Sequence, residues 1–520
     1  MNHPQGDAIE LAWSAEIFQQ ASTIWANLLS DHLEHVTAGE GPVLNWADPH
    51  EAISAAEGFL QDSFADSAES ALARLQMLMQ EMLSRGQNLH HPRYIGHQVP
   101  ASSPLGGLFD AVGSVTNQVM AIYEMGPWST AIEHALIRQL CQKLGWSGES
   151  GTGLLTHGGS LANLTALLTA RNVRFPEAWK QGVPAGAVLV ANADVHYCVT
   201  RTAGILGLGV DNVIKVPVDD RRRMRTDLLS QVLTDLQDQG RPVIAVSACA
   251  GATPTGAFDD LQEIATICAR HQVWMHVDAA HGGALAFSQQ HRRLLQGIEL
   301  ADSVVWDAHK MLFVPALCTA VLYRNPDVRF QTFAQDAPYL FDPSSPGMAD
   351  IDSGMRTVEC TKRAAGFGLW GLWSVFGEQL FEQLVDRVLQ RTREFYQLLL
   401  EADDFEPRND PSCNILTFRY CPSGTNDGSQ QLNTLQRQIR SRIIQSGQFY
   451  LVQTSLDGEV VLRTTVMNPL TTVADFRCLL DVVRQTGQQI ASECSQVPAD
   501  RVSPAGFQPE VLWRSDPESQ

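Results

Sequence analysis

Between residues 150 and 310 the chain repeats one pattern: a short apolar run, a polar or glycine-rich break, then apolar residues spaced at three and four. "GLLTHGG" leads into "SLANLTALLTARNVRF", and "AVLVANADVHY" leads into "CVTRTAGILGLG". "RPVIAVSACAG" leads into "DDLQEIATICARHQ", which runs straight to "VWMHVDAA", and "DSVVWDAHK" follows. Few folds accept this order. Strand, helix, strand, repeated, gives a mostly parallel sheet with helices on its faces. The runs are continuous rather than alternating, as strands covered on both faces must be. The pattern therefore predicts an α/β chain with a mostly parallel central sheet in a large domain. Ligands of such sheets sit beyond the carboxyl ends of the strands. The residues directly after each run are thus the candidates for chemistry.

The flanks read differently. "SAEIFQQASTIWANLLSDHLEHV" and "SALARLQMLMQEMLSRG" carry helical spacing, the second closing on Gly86. Toward the C-terminus, "NILTFRY" and "VVLRTTVMN" read as strands with the helix "LNTLQRQIRSRIIQSG" between them. The expected division is a helical N-terminal segment over 1–88, a large domain over 89–368, a smaller C-terminal α/β domain over 369–496 and a polar tail over 497–520.

Charge and cysteine usage narrow the partners. The chain has 37 basic and 57 acidic residues, a net charge of −20. Nucleic acid and anionic membranes are therefore not expected partners. The ten cysteines form no CxxC pair, and 520 residues need no disulfide framework. No basic stretch followed by an apolar run opens the chain, and no apolar run is long enough to span a bilayer. A cytoplasmic location is the expectation.

Four positions after strands carry chemistry. Lys310 follows "SVVW" between apolar flanks, where desolvation would lower its pKa and make it a nucleophile for carbonyls. Asp278 ends "VWMHV"; it either caps a turn before Gly282 and Gly283 or pairs with a protonated ring nitrogen. Gly158, Gly159 and Ser160 open a helix after "GLLT", where backbone N–H groups make an anion site; the alternative is a tight turn with Ser160 as the cap. His196 follows "AVLVA" and could stack on a flat ring. An amine, a ring-nitrogen acid, a phosphate cradle and a stacking imidazole on one sheet are what pyridoxal phosphate (PLP) needs. No metal site is expected, since no HExxH is present, and no GxSxG marks a serine hydrolase.

With these residues in place, the chain resembles the group II PLP-dependent amino-acid decarboxylases, of aspartate-aminotransferase-like fold. The resemblance runs from about His91 to Asp475. It is carried by "HPRYIGHQ", "GGSLANLTALLTARN", "DVHY", "AGATPTGAFDDLQEIA", "HVDAAHGG", "HRRLLQGIELADSVVWDAHK" and "LRTTVMNP". It implies that Lys310 holds PLP covalently, Asp278 meets the pyridine nitrogen and His196 stacks on the ring. Gly159 and Ser160 would bind the phosphate with His309 beside it. Ala280 would pack under the ring, and Thr253 would lie close by. Arg463 matches an arginine that holds a substrate carboxylate. His97 and Gln98 fall where relatives contact substrate. Tyr339, in "DAPYLFDPSSPGMAD", matches a lid tyrosine proposed to return a proton to Cα, with the lid reaching across a homodimer interface.

The implied reaction is α-decarboxylation of an L-amino acid to the amine and CO₂. A small acidic substrate (glutamate, aspartate or cysteine sulfinate) comes first, diaminobutyrate second and an aromatic amino acid third. A PLP aminotransferase or aldolase on the same fold is the alternative. The sequence departs from the family at three places. His281, a candidate substrate contact, replaces tryptophan or tyrosine. Asp307 replaces an asparagine near the phosphate and is expected to point away from it. Lys362, in "CTKR", replaces an arginine.

Overall fold

In the computed structural model of the chain, the valine-rich runs become neighbours in one seven-stranded sheet. The structure describes residues 7–61, 65–147, 150–330, 333, 351–354, 356–422 and 430–496. The strands are β1 (Thr152–Thr156), β2 (Val188–Asn192), β3 (Val213–Val216), β4 (Val243–Cys249), β5 (Trp274–Asp278), β6 (Ser303–Asp307) and β7 (Thr319–Tyr323), in spatial order β1-β7-β6-β5-β4-β2-β3. Strand β7 is antiparallel to both of its neighbours, and the other pairings are parallel. All residues of β2, β4, β6 and β7 are buried, which is why these runs carry no polar alternation.

After a short helix over Ala8–Ala12, the helices ahead of the sheet are α1 (Ala15–Thr37), α2 (Pro49–Gln61), α3 (Ala68–Arg85), α4 (Pro104–Val115) and α5 (Pro127–Lys143). Helix α3 opens on a reciprocal cap between Ser67 and Ser70 and stops at Gly86. Crossover helices α6 (Gly159–Arg174), α7 (Tyr197–Ile205), α8 (Thr226–Asp238) and α9 (Leu261–His271) connect the parallel strands. Asp260 caps α9 by accepting from the Glu263 N–H, and Gln272, in the left-handed region, turns the chain directly into β5.

After α10 (Phe367–Phe376), helix α11 (Glu378–Leu400) buries Phe381, Val385, Val388, Leu389, Phe395 and Leu399 along one face. It leads to a four-stranded antiparallel sheet of β8 (Phe405–Pro407), β9 (Ile415–Tyr420), β10 (Val452–Leu456) and β11 (Glu459–Thr465), in order β8-β9-β11-β10. Helices α12 (Gln430–Ser446) and α13 (Val473–Gln496) complete this part. The sequence pattern did not reveal β8 and β10. β8 is only three residues long, and β10 has buried ends and a partly exposed middle. One contiguous core cluster joins residues of both sheets, from Val190 and Trp306 to Phe418 and Leu462.

Gly283 shows why "HGG" follows Asp278. A Cβ there would lie 2.6 Å from the Trp306 ring, so only glycine lets the loop after β5 pack onto β6. Among the described residues no helix is long and apolar enough to cross a membrane.

Candidate active site

The carboxyl ends of β1, β2, β4, β5 and β6 share one edge of the central sheet, and the first residue of β7 joins them because Asp307 and Thr319 are register partners. A cavity of about 180 Å³ opens at this edge. Its lining includes Gly159, Ser160, His196, Thr253, Asp278, Ala280, His281 and Lys310, each at or shortly after the carboxyl end of a strand. The structure therefore brings together eight residues singled out from the sequence. His309 adjoins them, its Nε2 3.9 Å from Asp307 Oδ2. Arg463, His97 and Gln98 do not line this cavity. Arg463 reaches its margin, donating from Nε to the Pro254 carbonyl at 3.3 Å, next to Thr253. Tyr339 lies outside the described residues.

Asp278 sits deep in the protein, yet its carboxylate is thinly satisfied. Oδ1 accepts from the Ala280 N–H at 3.1 Å, and Oδ2 has a long 3.5 Å contact from Asn163 Nδ2. Burial raises its pKa, although Lys310, the Ala280 N–H and His196 pull the other way. Behind it stands a chain that the sequence reading missed. Asn163 Nδ2 donates to the Gly159 carbonyl, which leaves Asn163 Oδ1 as acceptor for His276 Nε2 at 2.8 Å. His276 Nδ1 pairs with Ser303 Oγ at 2.9 Å. Burial keeps His276 neutral, its pKa pushed down to about 3. The available signal was period two: His276 and Asp278 occupy the same face of β5.

At the start of α6, Gly158 occupies φ +107° and no side chain caps the helix. The first N–H groups are thus left for a ligand. Ser160 lies in the first turn rather than at the cap position. His196 caps α7 by accepting from the Cys198 N–H at Nδ1, so Nε2 carries the proton. Burial lowers its pKa, against the charge of Asp278.

Two expectations are corrected here. Asp307 does not point away: it lines the cavity, its Oδ2 2.8 Å from Lys310 Nζ, while Thr319 Oγ1 donates to Oδ1 at 2.6 Å. A methyl group on Gly159 would lie 3.0 Å from the same Oδ2. Nor is the Lys310 pKa lowered. Burial pulls it down, but the charge and hydrogen bond of Asp307, helped by Asp278, outweigh burial and raise it. The counter-charge follows from position: Asp307 ends β6 three residues before Lys310, so the turn folds one side chain onto the other. The third departure is structural. Lys362 is buried away from the cavity, its Nζ donating to both oxygens of Glu133 at 2.8 Å and to the Leu155 carbonyl at 2.6 Å.

His281 Nε2 donates to Asn414 Oδ1 at 2.6 Å. Asn414 is oriented by its own donation to the Val466 carbonyl, which fixes the imidazole tautomer. Among the described residues, His281 Nδ1 is then a buried acceptor without a hydrogen-bond partner. Burial pushes the ring's pKa down to about 3. Arg463 is only 4% exposed, and among the described residues its Nη2 is buried without a partner. Burial lowers its pKa to about 10.

An amine, a deep carboxylate and an open helix start around one small cavity define a site for a carbonyl cofactor with an anionic arm. Residues 57–421 match the family described as the pyridoxal-dependent decarboxylase conserved domain. The chain belongs to that family; it is a PLP-dependent amino-acid decarboxylase, and pyridoxal phosphate is its cofactor.

Solved structures agree on the fold. Mouse CSAD is 27% identical with a TM-score of 0.82, the match covering 93% of this chain and 100% of that one. The glutamate decarboxylase domain of a Vibrio parahaemolyticus diaminobutyrate-pyruvate transaminase and L-2,4-diaminobutyrate decarboxylase is 23% identical with a TM-score of 0.78, over 91% and 95% of the two chains. Oryza sativa TDC with PLP and tryptamine is 21% identical with a TM-score of 0.82, over 92% and 99%.

Proposed function

We propose that the chain removes the α-carboxylate of a small acidic L-amino acid (glutamate, aspartate or cysteine sulfinate) as CO₂, releasing the amine. The observation that carries this reading is Arg463. A guanidinium so buried is costly unless it meets an anion, and no carboxylate among the described residues pairs with it. Its place beside Pro254 and Thr253 sets it at the cavity margin, where a substrate carboxylate would complete it. The likeness to mouse CSAD agrees with this choice.

Bound PLP supplies an electron sink for the pair left behind when CO₂ departs. In this reading Lys310 is the amine that holds the cofactor. Asp278 would keep a proton at the ring nitrogen, braced by Asn163 and His276. His196 would stack on the ring and Ala280 would pack under it. The α6 N–H groups with Ser160 and His309 would hold the phosphate, and Thr253 would lie close to the ring. His97 and Gln98 would contact the substrate, and Tyr339, or His196 through solvent, would return a proton to Cα. Orientation of the bond that breaks is the protein's main contribution.

A second substrate reading, diaminobutyrate, is favoured by His281. Its bare Nδ1 is a neutral acceptor, suited to an ammonium donor and not to a second carboxylate. A cytoplasmic homodimer completes the proposal. An apolar groove of about 1190 Å³ between the N-terminal helices and α4, lined by Phe18, Trp25, Leu75, Leu108, Val112 and Val115, would be covered by a second copy.

The test is a panel of amino acids assayed for CO₂ release by wild type and Arg463→Met. The expected result is preference for acidic substrates, with kcat/KM falling about 10²-fold in the variant through loss of a charge-assisted pair. Preference for diaminobutyrate with Arg463→Met unaffected would overturn it.

A further inference from the structure

The lysine and the aspartate at the end of β6 form one unit. Asp307 Oδ2 is 2.8 Å from Lys310 Nζ, and Asp307 is almost sealed, its side chain 1% exposed against 19% for Lys310. Asp307 is held on three sides: its N–H donates to the Ala280 carbonyl, Thr319 Oγ1 donates to Oδ1, and Lys310 takes Oδ2. The carboxylate therefore has no freedom to turn from the lysine. An ammonium cannot attack a carbonyl carbon, because its nitrogen has no lone pair to give. Whatever loads Lys310 must first remove a proton, and the acceptor in contact is Asp307.

We propose that Asp307 is a positioning residue for Lys310: it aims Nζ across the cavity, holds it as an ammonium at rest, and takes its proton when the amine is needed. The transfer breaks one N–H bond and makes one O–H bond between Nζ and Oδ2. It leaves a neutral amine beside a neutral acid, and no electrons change hands. The proposal rests on the reading of Lys310 as the cofactor lysine.

The surroundings hold the pair charged at rest, so the exchange is an uphill, transient step. His309 faces Asp307 from the β6–β7 turn, Asp278 from β5, His196 from α7 and His281 from the loop after β5, while Cys198 on α7 faces Lys310. Burial keeps His196 and His281 low, so they add no standing charge near neutral pH. Burial would raise Asp307 itself, but Lys310, His309 and Thr319 hold it below the usual carboxylate range.

The first measurement needs no cofactor. The full chain stripped of PLP is labelled with acetic anhydride across pH, and modification of Lys310 is followed by mass spectrometry. Wild-type labelling should have its midpoint above the ordinary lysine range of about 10.4. A midpoint below that range overturns the proposal without recourse to any variant. In Asp307→Asn, which keeps the shape and the acceptor for Thr319, the midpoint should drop by more than about one pH unit. Superimposed profiles overturn the proposal.

The second measurement is the rate of loading with PLP and with pyridoxal. Wild type should load at a rate level across neutral pH, because the proton stays within the pair. The variant should follow the titration of Lys310, for PLP and pyridoxal alike. An effect confined to PLP would mean that Asp307 acts on the phosphate through Gly159, and would overturn the proposal. Borohydride trapping maps the loaded residue. An adduct on another lysine would sink the cofactor-lysine reading, and this inference with it, whereas the labelling result bears on Asp307 alone.

Discussion

Two lysines, Lys310 and Lys362, each face a carboxylate at 2.8 Å, yet one is half-buried beside a cavity and the other is sealed. Lys362 is closed on every side: both Glu133 oxygens and the Leu155 carbonyl use its three donors, and the two side chains are 1% and 6% exposed. It ties a short ribbon, in which Met120 pairs with Lys362, to α5. Among the described residues Lys310 Nζ pairs with Asp307 alone, and it borders a cavity. A saturated ion pair is a fixture, because any new bond must displace an old one. An unsaturated pair at a cavity keeps donors to spend on a ligand.

The largest effect expected from this contrast is at Lys310. Lys310→Ala should remove the bound-cofactor absorbance and lower turnover on the order of 10³-fold or more, with the folded state retained. Steady-state turnover near wild type would erase the difference between the two lysines. Lys362→Met should do the reverse. It leaves Glu133 buried without its cation, at a cost of about 3–5 kcal/mol in denaturant unfolding. Turnover per folded molecule should change little. Pairing it with Glu133→Leu should restore much of the loss, because an apolar replacement of a sealed pair is often neutral.

A smaller effect separates the regions by pH. Behind the cavity, burial pushes His276 from 6.5 down to about 3. The folded state thus refuses a proton that the unfolded chain accepts. The stability this contributes is whole above pH 6.5 and is lost as pH falls toward about 3. His276→Gln should flatten the acid side of the stability curve by up to about 1.4 kcal/mol per pH unit, read by denaturant titration at several pH values. An unchanged slope would show that His276 is protonated in the folded protein.

Much of the site was legible along the chain, because a parallel sheet brings every strand end to one edge. The valine-rich runs therefore point to Gly159, His196, Asp278 and Lys310 without coordinates, and the family resemblance adds Thr253. Asp307 and His276 were harder for a common reason. Each lies inside an apolar run, where sequence gives position but not the partner across the sheet. Thr319 holds Asp307 from β7, twelve residues on, and Asn163 holds His276 from α6, 113 residues earlier. In sequence Lys362 was only a departure from a family arginine, and its burial against Glu133 made it a structural tie.

By itself, the sequence determined the sheet, the cofactor chemistry and the order of residues at the strand ends, since these follow from hydrophobic runs and from residue types at fixed offsets. Tertiary structure alone decided which charges are spent and which are free. It closed Lys362 in full, left Arg463 without an anion among the described residues, set Asp307 against Lys310 and fixed the His281 tautomer through Asn414. The physical reason is that the free energy of a buried charge depends on its neighbours in space, and sequence spacing does not fix those neighbours.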